Sequence, residues 1–485
     1  MRKLHTSITL LAAAVLLAAC AQQPSLPDSA RPLSAEQLGL ASGTGKAWPV
    51  ELNASWWTAF QDPQLDALIT RALAESPTLG AARARIERAS AGVQAAKAAD
   101  FPTIGLGFDA IQQRYTANGL YPPPLAGSDR SSGTLQAGIS YEWDFFGRNK
   151  AALAAALGQV QAAQAEAAAA RLMLASQLTR SYFALARLLA QRELLDQQTA
   201  LREQALILVR QRSAAGLDNA QELRNAEGPL PELRRQGLVL DELAALLRHQ
   251  LAALSAQPVG ALQSIKPQVP QMLALPKEAL AATASEANGQ ATSLGLDLLG
   301  RRPDVLAARW RVEASTQEVA AARTLFYPNI SLTAFAGFSS IGLDRLLQSG
   351  SQQYGMGPSL RLPLFDSGRL TANLRGSAAQ ADEAVAAYNA ALLEAVRDAS
   401  DQLTSVASVQ RQQTEQDALL ANALAMQTLA QTRFDAGLGN RLALLVTHQV
   451  RLQQQRQALD LRGQMLDAQV SLMRSLGGGW TAATE

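Results

Sequence analysis

Four segments of the chain alternate between apolar and polar residues with a period of two. They lie at residues 101–110, 134–144, 330–338 and 354–364. Because neighbouring side chains in a strand point to opposite faces, alternation over about ten residues predicts a strand with one apolar and one polar face. Strands of transmembrane barrels have the same pattern at that length. The pattern therefore predicts four strands whose apolar faces lie against either lipid or a protein core.

Lipid is the favoured neighbour of these apolar faces, although a soluble antiparallel sheet would alternate in the same way. Tyr141 and Trp143 lie near a strand end, where barrels carry aromatic side chains at the membrane interface. No amphipathic helix adjoins the strands to cover their apolar faces. Pro358 interrupts the fourth segment, and because proline donates no backbone hydrogen bond, it belongs at an edge or a bulge.

Two further segments predict very long helices. Residues 149–212 and 371–433 contain no proline and are rich in Ala, Gln, Leu and Arg. At a rise of about 1.5 Å per residue, each helix is roughly 96 Å long, which is more than a globular core needs. Small alanine side chains allow close packing, and the polar side chains favour water on both sides of a helical tube. A filamentous coiled coil is the alternative, but it leaves the strand pairs unexplained.

An internal repeat organises the chain. Pro77 and Pro102 recur 226 positions later as Pro303 and Pro328, and from the long helix onward the offset is 221. A repeat of this length is a duplicated domain-sized unit, here a helix, two strands, a long helix, a turn and a returning helix. In the first repeat the leading helix is predicted over 63–99 and the returning helix over about 219–254. The division of the chain is a signal peptide at 1–19, a tether and equatorial segment at 20–62, a first repeat at 63–256, an equatorial linker at 257–300, a second repeat at 301–476 and a tail at 477–485.

The amino terminus is predicted to be a signal peptide followed by a lipid anchor. A charged start precedes an apolar run at 9–19, which is shorter than the roughly 20 residues of a membrane-spanning helix. The run ends in LAAC, which resembles a bacterial lipobox, and Cys20 is the single cysteine of the chain. Acylation of Cys20 is therefore expected, and Ala21 after it favours the outer membrane. A buried cysteine in an ordinary secreted protein is the alternative.

Four strands cannot close a membrane barrel, because bacterial barrels begin at about eight strands. An open edge in hydrocarbon leaves backbone groups unpaired at a cost of several kcal/mol each. Several copies of the chain must therefore contribute strands, and two, three or four copies would supply 8, 12 or 16. Because about eight strands enclose little more than their own side chains, a conducting pore needs three copies or four.

Composition excludes several classes of function. The chain has 43 Lys and Arg residues against 41 Asp and Glu, a formal charge of +2, which argues against a nucleic-acid binder that acts through bulk charge. Three histidines and one cysteine argue against structural zinc, disulfides and Cys/His catalysis. The sequence has no phosphate-binding loop of the Walker type. We therefore expect no enzyme and no cofactor other than the lipid on Cys20.

Five motifs resemble the TolC-like outer membrane efflux protein family, specifically its lipoprotein branch. They are WWTAFQDPQL at 56–65, RRPD at 301–304, FYP at 326–328, LPLFD at 362–366 and LGGGW at 476–480. The resemblance implies a homotrimer with a 12-stranded outer-membrane β-barrel, four strands from each chain, continued by a long periplasmic α-helical barrel. It also implies a passive exit duct of a tripartite efflux pump, served by a periplasmic adaptor and an inner-membrane transporter.

The resemblance also assigns candidate sites to the helix reversals. The two reversals would be the tips that contact the adaptor, and a glycine there permits the left-handed turn that ends a helix. The candidate docking residues are Ala215, Gly216, Leu217, Ala436, Gly437 and Leu438.

A gate is expected just after the second tip. Members of this family usually carry a tyrosine three residues before the tip glycine and an aspartate nine residues after it; here these positions hold Phe434 and Val446. The resemblance therefore implies a gate closed by the apolar side chains of Leu442 and Val446, with Phe434 beside them, which excludes water from the pore. Three charged residues are candidates for a replacement polar latch: Arg433, Asp435 and Arg441.

Three acidic residues at the strands, Asp109, Glu142 and Asp144, are candidates for lumen charges that bias ion selectivity. Two alternatives remain for the function of the whole protein. One is an outer-membrane channel for a protein-secretion exporter, and the other is a structural lipoprotein spacer that conducts nothing.

Overall fold

The computed structural model describes residues 25–26, 29–34, 36–38, 53–273 and 301–480. The predicted signal peptide, Cys20, most of the predicted equatorial linker and the last five residues lie outside the described residues. A short 3₁₀ helix, Trp56–Phe60, precedes the first repeat, which consists of α1 Pro63–Glu75, α2 Pro77–Ala98, β1 Thr103–Arg114, β2 Asp129–Trp143, α3 Arg148–Ala214, α4 Ala220–Glu227 and α5 Pro229–Leu254. The second consists of α6 Pro303–Thr324, β3 Asn329–Ile341, β4 Gln352–Arg361, α7 Arg369–Asp435 and α8 Arg441–Ser475.

The two long helices are confirmed. α3 and α7 each contain 67 residues, which corresponds to a length of about 100 Å at the α-helical rise per residue. The two helices have equal length and start 221 positions apart, as the duplication predicts. Gly158 of α3 lies against α6, since a Cβ at this glycine would be 3.0 Å from Cβ of Ala314. Small residues thus allow these helices to approach closely.

Two helices that the sequence pattern predicted to be continuous are broken. The leading helix predicted over 63–99 is divided at Ser76, whose ψ of 125° is extended, because the residue before a proline is disfavoured in the helical region. The returning helix of the first repeat is divided at Gly228, which precedes Pro229. The corresponding α8 has no proline and runs for 35 residues without a break.

The four strands form one antiparallel sheet in the order β1-β2-β3-β4. The register brings the apolar faces together across the whole sheet, with Leu106 opposite Ala137, Ala137 opposite Ala336, and Ala336 opposite Tyr354. The apolar side chains of the end strands are exposed, with 76% of Leu106 and 86% of Tyr354 accessible. Leu343 and Leu346 of the loop between β3 and β4 contact this face at Gly133, but most of the apolar side chains of β1 and β4 stay exposed, which argues against a soluble sheet packed on its own core.

On the polar face of the sheet, a glycine allows a close contact between neighbouring strands. Gln353 Nε2 donates to Gln136 Oε1 over a distance of 3.0 Å, and Gly337 of the intervening strand pairs with both residues. A Cβ at Gly337 would be only 2.1 Å from the carbonyl oxygen of Leu135. Pro358 lies in β4 opposite Leu332 of β3, and β4 is an end strand of the sheet within one chain.

The chain divides into two compact units. The first contains the sheet with the adjoining segments Arg85–Ala163 and Ala308–Tyr388. The second contains the remaining described parts of the helices, and its core includes the tryptophans and phenylalanine of the WWTAF motif. In this core Tyr182 is fully buried and its hydroxyl donates to Asp62 Oδ2 at 2.8 Å. Asp62 also caps α1 by accepting from the backbone N–H of Gln64.

None of the described helices combines the length and apolar character needed to span a membrane.

Candidate functional site

The two helix reversals have the same backbone geometry. Gly216 and Gly437 both have φ of +72°, in the left-handed region that glycine adopts without a side-chain clash. The residue after each glycine closes the end of the long helix. Leu217 N donates to the carbonyl oxygen of Arg212, and Leu438 N donates to the carbonyl oxygen of Arg433, both at 2.8 Å. The turns predicted at these glycines are therefore confirmed.

Each reversal also presents an exposed leucine and starts the next helix with the same cap. Leu217 is 69% exposed and Leu438 is 74% exposed. Asn219 accepts a hydrogen bond from the backbone N–H of Glu222, and Asn440 does the same for Ala443, as asparagine commonly does at a helix start. The tips are thus well-defined turns with an apolar side chain outward. Their contact with an adaptor stays a prediction.

The two tips differ in their charge pairing. Arg212 and Asp218 form a bidentate ion pair with both nitrogen–oxygen distances at 2.8 Å. In the second repeat, Arg433 takes the place of Arg212, but the position of Asp218 is occupied by Gly439. Within the described part of the chain, Arg433 therefore has no carboxylate partner.

The three residues expected to form a polar latch do not pair with one another within one chain. Asp435 Oδ1 accepts a hydrogen bond from Gln431 Nε2 at 2.8 Å, and neither Arg433 nor Arg441 forms an ion pair with any described residue. Arg433, Asp435 and Arg441 are all exposed. A latch made by these residues would have to form between chains.

The predicted gate residues lie on one face of α8. Leu442 is half-buried, while Val446 is 57% exposed and Val450 is 45% exposed. These residues are spaced by four positions, which places them on one side of a helix, and Leu444 and Leu445 occupy the buried side. The sequence reasoning missed Val450, although the spacing of four from Val446 was a signal for it. Phe434, on the last turn of α7, is half-buried.

The three acidic residues expected to line the lumen have different environments. Asp109 lies on the polar face of β1 opposite Thr134 and is exposed. Glu142 lies on the polar face of β2, but its carboxylate forms an ion pair with Arg148 at 2.6 Å. Asp144 is not a residue of the barrel wall: β2 ends at Trp143, and Asp144 Oδ2 accepts from the backbone N–H of Lys150 at 3.0 Å.

The RRPD motif forms a buried charge cluster that sequence reasoning did not place. Arg302 is 5% exposed and donates to Asp304 at 2.8 Å and to Asp398 at 3.2 Å. Arg474, near the end of α8, donates to both oxygens of Asp398 at 2.9 Å. Burial raises the pKa of Asp304, but the hydrogen bonds and charge of Arg302 outweigh it and hold that pKa below the ordinary value. The cluster ties the start of α6 to α7 and α8.

The comparison with known proteins identifies the family. Residues 68–256 and 294–478 match the family described as outer membrane efflux protein. The chain belongs to the outer membrane efflux protein family. It is 32% identical over 496 residues to the multidrug resistance outer membrane protein MdtP of Shigella flexneri, covering 98% of this chain and 96% of MdtP. It is 35% identical over 376 residues to the fusaric acid resistance protein FusA of Burkholderia cepacia, covering 76% of this chain and 68% of FusA.

The solved structures confirm the fold of this efflux protein. The crystal structure of the outer membrane protein VceC from Vibrio cholerae is similar with a TM-score of 0.77 and 32% identity, covering 88% of this chain and 99% of VceC. The predicted fold class is confirmed: the solved structures that this chain resembles are trimeric outer-membrane channels, and the chain itself combines long helices with one four-stranded antiparallel sheet. The outer-membrane location and the role in efflux are confirmed as well.

Proposed function

We propose that three copies of this efflux protein form a passive duct that carries small molecules from an inner-membrane pump and a periplasmic adaptor to the exterior. The observation that carries the proposal is the sheet, which has an exposed apolar face and two end strands, β1 and β4, each with an unpaired edge. Such edges must pair when the apolar face lies in hydrocarbon. The chain itself carries out no chemical reaction in this proposal.

Conductance in planar bilayers tests the duct. The purified full-length protein is expected to run as a trimer and to give discrete current steps, because a 12-stranded barrel encloses a water-filled pore. A structural lipoprotein spacer would pass no current, and that result would contradict the proposal. Restored drug resistance in a strain that lacks the protein supports small-molecule cargo, whereas restored secretion of a protein supports the exporter alternative.

The exposed leucines of the tips are proposed to contact the adaptor. Leu217 and Leu438 present apolar surface with no described partner in the chain, and burying one leucine stabilises a complex by about 2 kcal/mol. We expect Leu438→Asp to abolish resistance while trimer formation and conductance persist. Leu347→Asp is the matched control, because Leu347 lies in the loop between β3 and β4 and is 71% exposed. Equal loss of resistance in both variants would argue against a docking role.

The apolar stripe on α8 is proposed to close the duct at rest. Leu442, Val446 and Val450 would meet their counterparts from the other copies, and a ring of apolar side chains closes a pore by excluding water. No aspartate lies at the position where the family usually carries one, so this closure does not depend on a bound cation. Arg433, exposed in the last turn of α7, is a candidate partner for a carboxylate of a neighbouring copy.

Acylation of Cys20 is proposed to anchor the mature chain to the outer membrane. The support is the LAAC tetrapeptide after the apolar run. Metabolic labelling with radioactive palmitate is expected to mark the wild-type protein and to leave Cys20→Ser unlabelled. Label on Cys20→Ser would contradict the assignment.

A further inference from the structure

A cavity of about 310 Å³ lies where the strands meet the helices, within the unit that contains the sheet. Glu142, Asn329 and Arg361 line it, and the register places all three on the polar face, with Glu142 opposite Ser331 and Asn329 opposite Arg361. The other face of the sheet carries the exposed apolar side chains. These three residues place part of the lining on the polar side of the sheet, which is the lumen side of the duct proposed above, and Trp143 of the opposite face lines it as well.

The duplication leaves an arginine of this cavity without a counterion. Arg148 and Arg369 are equivalent positions, 221 residues apart, at the starts of the two long helices. Arg148 is paired with Glu142, but the position equivalent to Glu142 in the second repeat is Pro363. The nearby carboxylate of Asp366 instead accepts from backbone N–H groups at the start of α7. The guanidinium of Arg369 has no acidic partner among the described residues.

The charges of the cavity lining favour an anion. Three arginines line it against two carboxylates. Glu142 forms an ion pair with Arg148, and Asp144 accepts a hydrogen bond from the backbone N–H of Lys150. Arg361 and Arg369 are exposed and form no ion pair with any described residue. Two guanidinium groups therefore offer hydrogen-bond donors to the same space, and planar donors of this kind match a carboxylate.

The same cavity contains an aromatic surface and an unused acceptor. The rings of Phe146 and Tyr327 are stacked, with centroids 4.8 Å apart and an interplanar angle of 7°. Phe146 is 44% exposed and lines the cavity, so a ligand there can contact its ring. Asn329 Oδ1 is buried and accepts no hydrogen bond from any described residue. A volume near 310 Å³ is at the small end for ligand sites and suits a single ring with a small substituent.

We infer that this cavity binds small aromatic carboxylates in transit. Arg361 and Arg369 hold the carboxylate, and Phe146 stacks on the ring. Conduction needs a site that is favourable enough to enter and weak enough to leave. Because this inference relies on the proposed function for the lumen, its test measures binding separately from current.

Saturation-transfer NMR on the purified full-length protein in detergent tests the site with benzoate as the probe and benzamide as its neutral analogue. Wild-type protein is expected to bind benzoate saturably and benzamide more weakly. Arg361→Gln and Arg369→Gln should each raise the benzoate dissociation constant about tenfold, as expected for the loss of one hydrogen bond between charged groups, and leave benzamide unchanged. Phe146→Leu should weaken both ligands, because both use the aromatic face.

Arg345→Gln is the matched control, because Arg345 is an exposed arginine of the same unit whose one carboxylate contact, to Asp344, is long at 3.8 Å. Absence of saturable benzoate binding to wild-type protein would overturn the inference, as would equal binding of benzamide or an equal loss in Arg345→Gln. A co-purified anionic lipid that depends on Arg361 and resists displacement by benzoate would also overturn it. Conductance of the same preparations reports on the duct, so binding without current would refute the proposed function alone.

Discussion

Gly337 offers a sharp test of the sheet, because replacing it with alanine places a methyl group against backbone. The added Cβ would be 2.1 Å from the carbonyl oxygen of Leu135 and 2.7 Å from Cα of Gln136. Real Cβ atoms do not approach backbone so closely, so β2 and β3 must separate. Gly357 is the matched control: it lies on the polar face of the neighbouring strand, and a Cβ there would meet no described atom within 4 Å.

The cost of Gly337→Ala has two parts. Overpacking typically costs about 1–3 kcal/mol, and the clash here is with backbone, which cannot rotate away. Separation of the strands also breaks the hydrogen bond between Gln136 and Gln353, worth about 0.5–1.5 kcal/mol. We therefore expect a loss of about 2–4 kcal/mol for Gly337→Ala and little change for Gly357→Ala.

Heat denaturation of the detergent-purified trimer measures this difference. Gel mobility reports dissociation of the trimer, and circular dichroism reports loss of β-sheet structure. The Gly337→Ala trimer is expected to dissociate at a clearly lower temperature than wild type, with Gly357→Ala close to wild type. If the two variants denature at the same temperature, the register assigned to β2, β3 and β4 is wrong.

Three further predictions concern the helices. Asp398→Ala removes the carboxylate shared by Arg302 and Arg474; Arg302 keeps Asp304, but Arg474 loses its carboxylate partner among the described residues, so helical stability should fall by about 1–3 kcal/mol, measured by thermal unfolding; an unchanged midpoint would refute the cluster. Because Arg302 holds the pKa of Asp304 below its ordinary value of about 3.9, the stabilisation is complete above that pH and is lost as pH falls through the lower folded-state pKa; Asp304→Asn should flatten the acid limb of a stability profile. Leu442→Ser should raise the resting conductance of single channels, and an unaltered current would exclude Leu442 from the gate.

The features that the sequence predicted well are those encoded by neighbouring residues. The tips follow from a glycine and an asparagine three residues later, since a left-handed turn and a helix cap each involve only a few adjacent positions. The strands follow from alternation and the long helices from the absence of proline. Proline also accounts for the two helix breaks, at Ser76 and Gly228, which sequence reasoning overlooked although the signal was local.

The sequence alone determined the number of strands, the long helices, the duplication and the family of this efflux protein. Only the tertiary structure decided which charges are paired, because the partners are distant in the chain: Arg302 and Asp398 are 96 positions apart. Arg148 and Arg369 are identical residues at equivalent positions, yet only Arg148 has a carboxylate partner among the described residues. Whether a charge is free depends on its neighbours in space, and periodicity along the chain does not contain that information.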